Sequence, residues 1–239
     1  MLSIVIPVKN EKENIAPLLA EIHAVVQAVP VSEVVYVDDG STDGTLETLK
    51  SLQNQYPILR IISHDRSAGQ SAALWTGVRS AGHDLIVTLD GDGQNDPADI
   101  KKLYDFYQKN QNPQSPLMVA GQRQKRQDNA MRRLSSRVAN KVRAGLLRDG
   151  TSDTGCSLKL FRRYDYMRLP YFNHMHRFLP ALMIRDDVRV MHIDVSHRPR
   201  TRGASKYGVW DRLWVGVSDL LGVMWLQRRR CPDLTIFEE

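Results

Sequence analysis

The stretch DLIVTLDGDGQNDP, Asp84 to Pro97, decides how the chain folds. It reads as a short apolar run that breaks at once into a turn, with two aspartates on either side of a single glycine, and then a helix start at Pro97. A continuous apolar run, as opposed to strict alternation, marks a strand buried on both faces. The same reading extends to LSIVIPV from Leu2, EVVYVD from Glu33, ILRIIS from Ile58 and LMVAG from Leu117. Between these strands lie helical segments. Ile15, Leu18, Leu19, Ile22, Val25, Val26 and Val29 recur at helical spacing, a second helix begins near Gly44, and a third runs from Gly69 to about Ala81. Strands alternating with helices predict an α/β fold with a mostly parallel central sheet and helices on both faces. Ligands in such sheets sit beyond the carboxyl ends of the strands, where Asp38/Asp39 and Asp90/Asp92 fall.

From Gly121 the chain becomes basic: a loop, a helix expected from about Ala130 to Leu147, and VRVMHIDV as a strand leading into the polar loop SHRPRTRGASKYG. From Val209 to Gln227, Trp210, Leu213, Trp214, Val217, Leu220, Leu221, Met224 and Trp225 fall mostly on one helical face. The expected organisation is a catalytic domain over 1–208 and a C-terminal amphipathic helical extension over 209–239.

The chain has 239 residues, 42% of them hydrophobic and 25% charged, a composition of ordinary globular proteins. Its two cysteines, Cys156 and Cys231, show no metal-ligand spacing, which excludes a zinc ribbon and a disulfide framework and suits a reducing cytoplasm. The first residues lack a basic region ahead of an apolar one, so no signal peptide is expected. No run reaches the ~20 apolar residues that cross a bilayer. Charge divides unevenly: net −6 over residues 1–120 and net +12 over the remainder. This predicts an acidic region that holds a metal and a basic region that meets phosphates or an anionic surface. No nucleic-acid module accompanies the basic half, so nucleic acid is not an expected partner.

In TLDGDGQNDP, Asp90 and Asp92 can bring two carboxylates to one divalent cation, Mg2+ or Mn2+, with Gly91 allowing the turn and Gln94 offering another oxygen. Asp96 reads as an N-cap with Pro97 at the first helical position. In VDDGSTDGT, paired acids at a strand end supply groups for a base or ribose, although Ser41 and Asp43 read equally as caps. In IVIPVKNEKEN, Pro7, Asn10 and Glu11 end the first strand, and Glu11 and Glu13 read equally as first-turn helix acids.

Taken in order, IVIPVKNEKEN, VDDGSTDGT, DRSAGQSAALWTGVRSAGHDLIVTLDGDGQNDP, GTSDTGCSLKLFRR and RPRTRGASKYG resemble the inverting glycosyltransferases of family 2. Within that family the chain is most similar to dolichol-phosphate mannosyltransferases and bacterial undecaprenyl-phosphate sugar transferases. The resemblance implies a GT-A fold, a nucleotide-sugar donor, a polyprenyl-phosphate acceptor and a divalent cation. It implies contacts to the nucleotide from Pro7, Val8 and Glu11, with Asp39 near base and ribose. Asp90, Asp92 and Gln94 match the family's DxDxQ metal stretch, and Asp90 would thereby also meet the bound nucleotide. Arg123 matches the arginine of its GSR. Arg132 and Ser136 match its acceptor-phosphate ligands, and Arg200, Ser205 and Lys206 its RxxGxSK loop over the diphosphate. Arg123 is expected to orient the acceptor phosphate as well as to serve the nucleotide site. The roles implied are charge neutralisation by Arg200 and Lys206, orientation by Arg132 and Ser136, and proton removal, if any, by Asp92. Thr154-Gly155-Cys156 replaces the family's Ser-Gly-Phe, and Gln122 its Ser.

Many relatives continue into membrane helices, whereas this sequence ends at Glu239, so the expected location is cytoplasmic, at the inner face of the cytoplasmic membrane. For the C-terminal stripe, membrane contact, core packing and a homo-oligomer face all stay open. Transfer to a glycan hydroxyl, a nucleotide-sugar-binding module without turnover and nucleic-acid binding are the alternative functions.

Overall fold

In chain order the computed structural model contains β1 (Leu2–Val8), α1 (Lys12–Val26), β2 (Val31–Asp38), α2 (Thr45–Leu52), β3 (Leu59–Ser63), α3 (Gln70–Ser80), β4 (Leu85–Thr88) and α4 (Asp99–Asn110). There follow β5 (Leu117–Arg123), β6 (Lys159–Arg162), α5 (Arg163–Met167), a 3-10 turn (Met175–Phe178), α6 (Leu179–Arg185), β7 (Arg189–Val195) and α7 (Val209–Arg228). The structure describes residues 1–123, 143–151, 153–199 and 209–230, with side chains in the last segment from 216 onward. Of the helix expected over Ala130 to Leu147, only 143–147 is described, and it is helical.

The seven strands form one sheet in the order β3-β2-β1-β4-β6-β5-β7. β1 runs parallel to β2 and β4, β2 to β3, and β5 to β7. β6 alone is antiparallel, to both β4 and β5. The mostly parallel sheet agrees with the sequence reading. β6 was not read as a strand, because in LKLFRR the charges interrupt the apolar run that marks the other strands.

Alternate residues of each buried strand feed opposite faces. Leu2, Ile4 and Ile6 of β1 join Ile15, Leu19 and Ile22 of α1 and Ile100 and Leu103 of α4 in one core. Val5, with Val35 and Val37 of β2, joins Ala73 and Val78 of α3, Tyr166 of α5 and Leu182 of α6 in the other. Both helix starts expected at glycine are found there: Gly44 caps α2 and Gly69 caps α3. The expected cap at Asp96 sits one turn early. Its carboxylate accepts the Ala98 N–H at 2.9 Å and so caps an entry turn, with the helix proper beginning at Asp99.

The C-terminal helix α7 lies on the second core. Val223 is fully buried there, with Leu220, Met224 and Leu226 packed against the same cluster. Asp219 pairs with His174 Nδ1 at 3.0 Å, and the Gln227 amide donates to the Leu147 carbonyl at 3.0 Å. The opposite face keeps Val217, Leu221 and Trp225 at 45%, 60% and 59% exposure. Among the described residues no helix is long and apolar enough to cross a membrane.

Helix α3 approaches the sheet closely enough that a side chain at Gly77 would run into Val5 Cγ1 and lie 3.0 Å from Val37 Cγ2. Gly77→Val is therefore expected to cost about 3 kcal/mol by overpacking, read as a melting temperature ~6 to 12 °C lower. Wild-type melting in this variant would mean that α3 is not seated on β1 and β2 as described.

Candidate active site

The carboxyl ends of β1, β2 and β4 meet in one crevice, and the contact that joins them is at Gly91. A Cβ there would collide with Val8 Cγ1 and come within 3.3 Å of the Pro7 carbonyl oxygen. The turn that carries Asp90 and Asp92 thus lies directly against Pro7 and Val8, two of the expected nucleotide residues. The next glycine, Gly93, has φ +72°, a conformation that favours residues without a Cβ. Behind the turn, Ser157 Oγ accepts the Asp90 N–H at 2.9 Å and donates to Asn95 Oδ1 at 2.9 Å. The Gln94 N–H closes the turn onto Asp92 Oδ1 at 3.1 Å.

Asp90 is half-buried, and its carboxyl pKa is raised to about 6, first by burial and then by the neighbouring charge of Asp92. Two carboxylates that repel one another in a partly dry turn, with an amide oxygen two residues on, fit a hard divalent cation. Among the described residues no group of three His, Cys, Asp or Glu is gathered for a metal, so a cation here would take its other oxygens from Gln94, water or a bound phosphate. Gln70, at the start of α3, donates from Nε2 to Asp90 Oδ1 at 2.8 Å and orients it.

Asp39 stands at the centre of a hydrogen-bond network. Its oxygens accept from His64 Nδ1 at 2.8 Å, Ser67 Oγ at 2.7 Å, the Ala68 N–H at 2.8 Å and the Gly69 N–H at 2.9 Å. Burial alone would push its pKa up; these donors outweigh burial and hold it below the ordinary value. The carboxylate is committed to shaping the loop that starts α3. Its neighbour Asp38, 2% exposed, keeps Oδ1 buried and without a hydrogen-bond partner, which leaves it an acceptor for an incoming N–H.

Glu11 sits at the N-cap position of α1, and its carboxylate accepts from Asn14 Nδ2 at 2.6 Å, in keeping with its reading as a helix-start acid. Asn10, at φ +54°, accepts the Thr42 N–H at 2.7 Å, while Ser41 Oγ accepts the Asn10 N–H at 2.9 Å. Asp43 accepts from the Thr45 N–H at 3.0 Å and the Lys12 N–H at 3.2 Å. These bonds lock the ends of β1 and β2 together.

Arg123 ends β5 in a two-pronged pair with Asp153, at 2.5 and 2.7 Å, largely out of solvent. The segment after β7 returns to the acidic turn. The Arg198 N–H donates to the Gln94 carbonyl at 2.9 Å, and its guanidinium pairs with Glu21 at 2.7 Å and Asp96 at 2.8 Å. The expected residues Arg132, Ser136, Arg200, Ser205 and Lys206 lie outside the described residues. Gln70, Ser157, Lys159, Tyr166, His176 and Arg177 line a cavity of about 190 Å³ beside Asp90. Gln70, Ser157 and Lys159 fell inside quoted motifs without an assigned role, and nothing in the sequence singled out the other three.

A family model described as Glycosyl transferase family 2 matches residues 3–169. A dodecaprenyl-phosphate galacturonate synthase of Rhizobium johnstonii is 34% identical over 95% of this chain and 67% of its own length. An undecaprenyl-phosphate 4-deoxy-4-formamido-L-arabinose transferase of Aeromonas hydrophila is 32% identical over 87% of this chain and 63% of its own length. The chain therefore spans about two thirds of the length of these relatives. A glucosyl-3-phosphoglycerate synthase of Mycobacterium tuberculosis, solved with Mn2+, UDP and glucosyl-3-phosphoglycerate, superposes with a TM-score of 0.68 at 17% identity, covering 95% of this chain and 79% of that one. A mannosyltransferase of Pyrobaculum calidifontis, solved with GDP-Man and Mn2+, gives 0.66 at 18% identity, covering 98% and 65%. These two share the GT-A fold of this chain.

A carboxyl held above its ordinary pKa binds its proton more tightly in the folded state than in the unfolded one. Folding stability accordingly falls as pH rises from 3.8, the ordinary value, through about 6, the folded value of Asp90. In metal-free protein, Asp90→Asn is expected to melt a few degrees higher than wild type above this window. Below it the difference should vanish, because wild-type Asp90 is then protonated too. Equal melting curves at every pH would show that Asp90 carries no burial penalty.

Proposed function

The chain belongs to glycosyl transferase family 2, and from that premise we propose that it moves one sugar, with inversion, from a nucleotide-sugar donor to polyprenyl phosphate. The observation that carries the reading is the seating of the Asp90-Gly91-Asp92 turn against Pro7 and Val8. It joins the end that would hold a nucleotide to the end that would hold a cation. Relatives named for dodecaprenyl-phosphate and undecaprenyl-phosphate chemistry support the acceptor class. Their names carry different sugars, and the solved neighbours carry UDP and GDP-Man, so the donor is proposed only as GDP-mannose or UDP-hexose in type.

In this reading Asp90 and Asp92, with Gln94, hold Mg2+ or Mn2+. The cation supplies positive charge against the diphosphate that leaves. Pro7 and Val8 line the nucleotide, Asp38 offers its unpartnered oxygen to an N–H of the base, and Gln70 and Ser157 fix the Asp90 side chain and backbone. Arg200, Ser205 and Lys206 would neutralise the diphosphate, and Arg132, Ser136 and Arg123 would orient the acceptor phosphate. A phosphate monoester is already an anion near neutral pH, so orientation matters more than a strong base. Transfer to a glycan hydroxyl would need such a base.

The test uses radiolabelled donor with short-chain polyprenyl phosphate and, as control, the matching polyprenol. Label should enter an organic-extractable product only with the phosphate, and Asp92→Asn or EDTA should abolish it. Arg132→Ala should raise the requirement for polyprenyl phosphate with little change in nucleotide binding, because a charge-assisted phosphate contact is worth ~1.5 to 3 kcal/mol. Equal use of both acceptors, or label confined to water-soluble glycan, would sink the lipid assignment.

The same reading places the protein peripherally at the inner face of the cytoplasmic membrane. The exposed stripe of Val217, Leu221 and Trp225 ends at exposed Arg228 and Arg229, an apolar face with cations at one end. The chain should float with vesicles containing anionic lipid, less so in high salt, and Leu221→Asp with Trp225→Asp should release it without loss of folding. Flotation unaffected by the double change would exclude this face.

A further inference from the structure

The cavity beside Asp90 has a surplus of donors. Lys159 and Arg177 line it, with Asp90 as its one carboxylate. Lys159 is 6% exposed, and its ammonium donates to the Cys156 carbonyl and forms no salt bridge among the described residues. Arg177 likewise has no ion-pair partner among them. Tyr166 is 1% exposed, and its hydroxyl is buried without a hydrogen-bond partner. A buried ammonium on which Asp90 and Asp153 act only through space, and a buried hydroxyl with no hydrogen-bond partner among the described residues, are both costly unless a ligand completes them.

The one histidine in the lining adds no charge. His176 is held against Ser71 Oγ at 2.7 Å, and burial first of all pushes its pKa down to about 3. The lining therefore holds two basic side chains against one carboxylate, and because burial pushes the Lys159 pKa down, its ammonium gains from an anion placed beside it. At about 190 Å³ the cavity is smaller than the ~300 Å³ at which drug-sized pockets begin. It suits a single sugar ring and not a nucleotide.

We propose that the sugar this chain transfers bears a carboxylate, and that Lys159, Arg177 and Tyr166 read it. A carboxylate only accepts, with about four lone-pair sites, and so matches an ammonium, a guanidinium and a phenolic O–H. A neutral hydroxymethyl group in the same place leaves both cations uncompensated. The proposal rests on the glycosyltransferase reading and narrows its donor to nucleotide-activated uronic acids. The shared chemistry is that of an anion, and the acceptor phosphate is its other source, so the experiment separates the two.

Purified chain is assayed with Mn2+ and short-chain polyprenyl phosphate on donor pairs that differ only in the oxidation of the terminal carbon: UDP-glucose with UDP-glucuronate, UDP-galactose with UDP-galacturonate, GDP-mannose with GDP-mannuronate. In at least one pair the uronate should be preferred about tenfold or more in kcat/KM, the scale of one charge-assisted hydrogen bond. Lys159→Met and Arg177→Gln should each reduce that preference about tenfold. Tyr166→Phe removes a hydroxyl that has no hydrogen-bond partner among the described residues, so it should melt like wild type and still reduce the preference. A preference for neutral sugars in every pair, or a ratio that none of the variants changes, overturns the proposal and leaves glycosyl transfer standing. A raised KM for polyprenyl phosphate in Lys159→Met, with the donor ratio constant, overturns it in favour of the acceptor phosphate. Failure to bind or consume any donor defeats the glycosyltransferase reading, and this proposal with it.

Discussion

At Gly91 the backbone of the acidic turn meets the end of β1 with no room for a single carbon atom between it and Val8. That close approach governs the rest of the crevice. It brings Asp90 and Asp92 to the strand end where Pro7 and Val8 lie, and it leaves two like charges where water is partly excluded. Burial first, and then the Asp92 charge, raise the Asp90 pKa, and the surrounding structure answers with donors: Gln70 to the carboxylate, Ser157 to the backbone, Lys159 and Arg123 through space. A cation is the natural complement of such a turn, because it turns the repulsion into attraction.

The loop network at the neighbouring strand end serves the same geometry. Asp39 gathers four donors from His64, Ser67, Ala68 and Gly69, and so sets the position at which α3 begins. Gln70 is the first residue of that helix, and its reach to Asp90 depends on the loop that Asp39 holds. Gly77, one face of α3 further on, fixes the helix against β1 and β2. Asp39 thus bears on the Asp90 carboxylate at one remove, through the placement of Gln70.

Much of this was readable from the sequence, and where it failed the reason is physical. Parallel strands of continuous apolar residues announce themselves, so β1, β2, β3, β4 and β5 and the glycine-led starts of α2 and α3 were found close to where they stand. The short β6, Lys-Leu-Phe-Arg, sets only two apolar residues between charges, and its strand character comes from pairing with β4 and β5. Asp90 and Asp92 were singled out from local spacing alone, and the structure sets both on one turn at the end of β4. That four donors hold Asp39 was not readable in the sequence, because they come from a loop some 25 to 30 residues away. Tyr166, His176 and Arg177 escaped notice because nothing local marks them; each matters only through the cavity it shares with a distant strand end.

The uneven charge of the two halves has its explanation in the same crevice. The acidic half supplies the strand ends, with Asp38, Asp39, Asp90 and Asp92, and would by itself concentrate negative charge there. The basic half then folds back over it. Arg198 crosses from the end of β7 to Glu21 and Asp96 and ties its backbone to Gln94; Arg123 reaches the crevice from β5, and Lys159 from β6. Of these, Arg123 is matched by Asp153 and Arg198 by two acids, whereas Lys159 feels Asp90 and Asp153 only through space, and neither it nor Arg177 forms an ion pair among the described residues. The positive excess is therefore not spread evenly over a solvated face: part of it is carried into the one cavity beside the acidic turn, where low polarity makes each unmatched charge costly and each anionic ligand correspondingly welcome.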